Sequence, residues 1–160
     1  MAFGDPGHVA SILDEVLDYG ATALATGGRP IGRVLRSPGI PAYDCEEIVA
    51  WPTMRITGQG VNSANRPIQK QLKYALDINI VLLRCITALA VNGLPSPEVV
   101  DADGEGFAKD MWILQRAYGL GIAQGVLFPS CTDALMQAFQ PATPSGGLSA
   151  MSTIISVTLG

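Results

Sequence analysis

Beyond Gly146-Gly147 the chain alternates without interruption. Met151, Thr153, Ile155, Val157 and Leu159 fall on one side, and Ala150, Ser152, Ile154, Ser156 and Thr158 on the other. A period of two, rich in β-branched residues, specifies a half-buried strand. One face is apolar enough to join a core. The other carries small and hydroxyl side chains and no charge, which points to a covering other than bulk water. A strand with two faces to cover points to assembly.

The composition agrees. A chain of 160 residues suits one domain, residues 1–160, with a single sizeable core. Charged residues make up 15% of it, against about a quarter in ordinary soluble domains. An isolated monomer of this mass exposes roughly 7,600 Å², and so few charges leave much of that surface weakly polar. Self-association is expected. The net charge is −4 with a pI near 4.8, and the basic residues are dispersed. Arg29, Arg33 and Arg36 form the one local cluster, too thin for a phosphate-tracking stripe. The apolar run Ile80 to Val91 is short and interrupted by Arg84 and Thr87, so no membrane crossing is expected. No basic region precedes an apolar core at the N-terminus, so no signal peptide is expected. Cysteines at 45, 85 and 131, odd in number and scattered, point to a reducing cytoplasm and free thiols.

Along the chain, residues 8–25 place Val9, Ile12, Leu13, Val16 and Leu17 at helical spacing opposite Asp14, Glu15 and Asp18. Asp5-Pro6 is the predicted start and Gly27-Gly28 the stop. A short edge strand is predicted at Arg33 to Arg36. A longer one follows from Glu47 to Thr57, with Pro52 requiring an edge or a bulge. Residues 58–71 are polar and Gly-interrupted, a long mobile loop expected to order on a partner. The longest strand runs from Leu72 to Cys85, its polar face turning apolar toward the C-terminal end. A second helix is predicted from Ser96-Pro97, with Phe107, Met111, Leu114 and Tyr118 on one stripe and a kink at Gly104 and Gly106. Residues 131–140 fit helix and strand equally, and the turn at Pro141 to Gly147 favours a hairpin into the last strand. The predicted fold is α+β: a mixed, mainly antiparallel sheet of about four strands against two main helices.

Catalytic equipment is sparse. His8 is the one histidine, a thin basis for a triad. The cysteines lack a C-x-x-C spacing, so a zinc site is not expected. D-A-D-G-E-G at 101–106 imitates the opening of a calcium loop, but Trp112 stands where the bidentate acid belongs. Glu46 and Glu47, adjacent in sequence, face opposite sides and are expected on a solvated edge. No catalytic, cofactor or metal residue is expected, and the chain is not expected to be an enzyme.

Four segments together carry a resemblance: C-E-E-I-V-A-W (45–51), L-L-R-C (82–85), D-M-W-I-L-Q-R-A (110–117) and the terminal P-S-G-G-L-S-A-M-S-T-I-I-S-V-T-L. Their order, across roughly residues 40–159, resembles small tail proteins of long-tailed actinobacterial bacteriophages, in particular tail terminators. The resemblance implies a virion subunit, assembled in the host cytoplasm, that caps the tail tube as a ring of six. Its partners would be itself, the major tail tube protein and the head-to-tail connector or stopper, with at most non-specific proximity to DNA in the lumen. Expected interface residues are Asn62, Asn65, Arg66 and Lys70 in the long loop, and Ser152 and Ser156 on the last strand. The alternatives are another neck component (adaptor or stopper), a minor tail protein, or a small-molecule-binding or enzymatic α+β domain.

Overall fold

The computed structural model describes residues 6–38, 45–57, 73–86, 96–131, 133–145 and 148–159. Helix α1 (Pro6–Thr26) starts with proline at its first position, where the missing N–H costs nothing. It buries Ile12, Leu13, Val16, Leu17 and Leu24. Its end is a Schellman turn: Arg29 N–H donates to the Leu24 carbonyl and Gly28 N–H to that of Ala25. Gly28 there adopts φ 74°, open to glycine without steric cost.

Strands β1 (Arg33–Arg36), β2 (Glu47–Thr57) and β3 (Lys73–Cys85) follow. Helix α2 (Pro97–Ala123) then precedes β4 (Asp133–Met136), β5 (Gln140–Ser145) and β6 (Leu148–Leu159). The sheet has six strands in the order β1-β2-β3-β6-β4, with β5 also on β6. The β1–β2 pair is parallel and every other pair antiparallel. The expected α+β class with two helices on a mixed sheet is therefore the observed one, and the sheet is two strands larger than expected.

The extra strands are β4, which makes Asp133–Met136 of the ambiguous 131–140 segment strand rather than helix, and β5, whose Pro141–Ser145 replaces most of the expected turn. The ladder along β6 decides the matter: β4 pairs with its second half and β5 with its first. Between them Gln137 N–H donates to the Ile154 carbonyl and Thr153 Oγ1 to the Gln137 carbonyl. Pro52 is tolerated because β1 stops at Ala50, leaving the far half of β2 as an edge.

Both helices lie on one face of the sheet. That face contributes Ile48, Ala50, Leu76, Ile78, Ile80, Leu82, Met151, Ile155 and Val157 to the main core. Helix α2 begins at a Ser96 cap and runs unbroken through Gly104 and Gly106. Gly106 is where the Arg29 guanidinium approaches the helix, within 2.9 Å of where a Cβ would sit. The helix is therefore not broken at these glycines, and the calcium-loop imitation at 101–106 is helical.

Candidate assembly surfaces

Two features stand out, a buried charge cluster at one end of the sheet and the sheet face opposite the helices. Arg84 closes the helix-side row of β3 and is 9% exposed. All five of its N–H donors are used. Nε and one Nη2 hydrogen meet Asp110 at 2.9 and 3.2 Å. Nη1 donates to the Pro30 carbonyl at 2.9 Å and to Glu46 Oε2 at 2.5 Å, and Nη2 also donates to the Arg29 carbonyl at 2.8 Å. Asp110, fully buried, takes a second two-point contact from Arg29 at 2.6 and 2.9 Å. That hydrogen bond to Asp110 holds the Arg29 pKa above its ordinary value. Two cations and two carboxylates balance, so the burial leaves no net charge.

This cluster corrects two expectations. Glu46 and Glu47 do face opposite sides, but only Glu46 stays partly solvated. Glu46 precedes the strand with φ 59° and turns to Arg84, while Glu47 is fully buried and ion-paired with Arg33. Burial of a carboxylate requires such a partner. Nor are all the thiols free. Cys45 and Cys85 form a disulfide, because the register pairing Glu47 with Leu83 brings their Cα atoms to 5.0 Å. Cys131 is free, half-buried and packed on the core, and burial pushes its thiol pKa up. The arginine cluster at 29–36 is likewise absorbed by the fold: Arg29 on Asp110, Arg33 on Glu47, Arg36 on Asp14 at 3.1 Å.

On the opposite face the strands form cross-sheet rows. Thr53, Asp77, Ser156 and Leu135 make one row, and Trp51, Asn79 and Ile154 the next. The following row is Val49, Val81, Ser152 and Gln140. The face is apolar and buried around Val49, Val81 and Leu83, as expected from the apolar drift of β3. It becomes polar toward Asp77, which takes Ser156 Oγ at 2.5 Å and Arg55 Nε at 2.9 Å. Between these ends a recess of about 300 Å³ opens beside Trp51, Asn79, Gln137, Gln140, Ser152 and Ile154. Leu135, in the row of Ser156, stands 67% exposed. Ser152 and Ser156, the expected interface residues of the last strand, thus lie on one face of β6, half-buried, with no helix over them among the described residues. Asn62, Asn65, Arg66 and Lys70 lie outside the described residues.

A second surface was not anticipated from the sequence. A groove of about 760 Å³ runs between the outer sides of α1 and α2, lined by Tyr19, Ala23, Trp112, Ile113, Arg116 and Leu120. Trp112 is 66% exposed there. The signal was present in sequence: Trp112 falls off the Phe107–Met111–Leu114–Tyr118 stripe and so had to point outward. No protein-family profile matches the chain, and no curated protein matches it. Among the described residues no helix is long and apolar enough to cross a membrane.

Proposed function

We propose that this chain is a non-enzymatic structural subunit of a phage tail or neck, of the tail-terminator type, acting as a ring that caps the tail tube and meets the head-to-tail connector. The observation that carries the reading is the sheet face opposite the helices. It combines half-buried Trp51, the uncharged hydroxyl positions Ser152 and Ser156 on β6 and a recess, and among the described residues no helix is laid over it. A face of that kind is suited to a protein partner rather than to water.

The segments that carry the resemblance add support. Cys45 and Glu46, Arg84 and Cys85, and Asp110 come from three of them and meet in one cluster. The fourth supplies β6, the central ladder partner. Motifs distributed over the chain thus serve one construction, a rigid frame, and the buried polar groups Arg84, Asp110, Tyr118 and Thr153 are all committed to it.

The test is the mass of the purified protein across a concentration series, by light scattering and native mass spectrometry, with particle imaging of assembled tails. A closed ring of fixed stoichiometry is expected; a chain that stays monomeric at high concentration and is missing from every neck ring refutes the reading. One observation favours a second reading, small-molecule binding: the recess gathers an indole and three primary amides. A monomer whose melting temperature rises with a small neutral ligand would select it.

A further inference from the structure

Cys45 and Cys85 are joined by a bond that the surrounding structure does not need in order to bring them together. The same two segments are also tied without sulfur, by two hydrogen bonds and by the β2–β3 ladder. Glu46 Oε2 accepts from Arg84 Nη1 at 2.5 Å, and Glu46 Oε1 from Cys85 N–H at 3.4 Å. Glu47 and Leu83 are register partners in the ladder, which continues unbroken to Thr57 and Lys73. Arg84 is in turn anchored to the Arg29 and Pro30 carbonyls and to Asp110. With the bond formed the two Cα atoms lie 5.0 Å apart, a separation that these sulfur-free contacts also favour.

We propose that Cys45 and Cys85 are a reversible redox latch: the chain attains this fold as a dithiol and is locked afterward by oxidation with a small disulfide of the glutathione class. Cys85 is exposed and Cys45 half-buried, so Cys85 is the entry point. Its thiolate attacks one sulfur of the oxidant, expelling a glutathione thiolate and leaving a mixed disulfide. The Cys45 thiolate then attacks the Cys85 sulfur and expels the second glutathione. The protein gives up two electrons and two protons, and the oxidant becomes two thiols. Reduced glutathione in excess reverses both steps.

The latch closes a loop with a sequence separation of 40, containing β2 and the whole of β3. Its physical effect is to deny the unfolded chain the freedom of that loop, leaving native contacts as they were. A subunit of this kind folds in a reducing compartment and becomes harder to unfold in an oxidising one. The inference concerns the folded subunit and stands apart from whether it forms a ring.

The full chain, prepared under reductant, is compared with the same protein equilibrated in oxidised glutathione. With three cysteines in the chain, thiol titration of the denatured protein should fall from three to one. The far-ultraviolet dichroism should be unchanged, and the melting temperature should rise by about 10 °C. The Cys45→Ser/Cys85→Ser protein should stay at the reduced value in both buffers, and Cys131→Ser should behave as the parent. Loss of native dichroism in the reduced or double-serine protein overturns the latch, since the bond would then be required for folding. Retention of three thiols in oxidised glutathione, or an unchanged melting temperature, overturns it equally.

Discussion

Arg84 meets Asp110 through two hydrogen bonds, Nε to Oδ2 at 2.9 Å and Nη2 to Oδ1 at 3.2 Å, which fasten the end of β3 to the middle of α2. Because Asp110 also neutralises Arg29, removing it leaves Arg29 without its carboxylate and Arg84 with Glu46 as its remaining one. Asp110→Ala should cost about 3–5 kcal/mol, the range for breaking a buried ion pair. The half-exposed Arg36–Asp14 pair gives the contrast, and Asp14→Ala should cost no more than about 1 kcal/mol. Urea unfolding of both variants checks the difference, and equal losses would mean that the buried cluster is not a structural anchor.

Gly20 and Tyr118 are matched by shape. The Tyr118 hydroxyl occupies the space where a Cβ on Gly20 would lie, and donates to the Val16 carbonyl at 2.9 Å. Gly20→Ala should therefore destabilise by about 1–3 kcal/mol, against the gain of up to about 1 kcal/mol that alanine brings to a helix interior. In a Tyr118→Phe background the penalty should shrink, because the clashing oxygen is gone. Thermal unfolding of the two single variants and the double variant reads the coupling.

Full burial raises the Tyr118 pKa above its ordinary value of 10.0. Below pH 10 both states carry the proton and the residue contributes no pH dependence. Above it the unfolded chain loses its proton while the folded one keeps it, so stability falls with rising pH until the folded pKa is passed. Tyr118→Phe should cost about 1 kcal/mol at neutral pH through its lost hydrogen bond, yet flatten the alkaline limb. Chemical unfolding at pH 8 and pH 11 tests both parts.

At acid pH the sign reverses at Asp77. Partial burial pushes its pKa up, but hydrogen bonds from Arg55 and Ser156 outweigh this and leave it below the ordinary value of 3.8. The stabilisation is present above that value and is lost as pH falls through the lower, folded pKa. Ser156→Ala should move the loss to higher pH, visible as an earlier acid transition in dichroism.

Ser156→Lys tests the sheet face itself. The new ammonium lies beside Asp77 and can pair with it, so the monomer should keep native dichroism and melting. A long cation on a face otherwise suited to a partner should block ring formation. Rings of normal size and infectious particles from this variant would show that the face meets only solvent.

The sequence by itself determined both helices, strands β1, β2, β3 and β6, and their inward faces, but not β4 or β5. Alternation in 148–159, helical spacing in 8–25 and 107–118, and the Gly27-Gly28 stop are local properties, set by backbone geometry and the need to bury apolar side chains. The pairing partners were decided only by the tertiary structure. Residues 131–140 could be helix or strand alone; the hydrogen-bonding edge of β6 made Asp133–Met136 strand, while Phe139 N–H donates to Gln115 Oε1 of α2 at 3.0 Å. Arg84, Asp110 and Glu46 lie far apart in sequence, and nothing local marks a charged residue as buried until its counter-charge is in place. Cys45 and Cys85 were illegible for the same reason, since a disulfide depends on a distance that only the β2–β3 register sets.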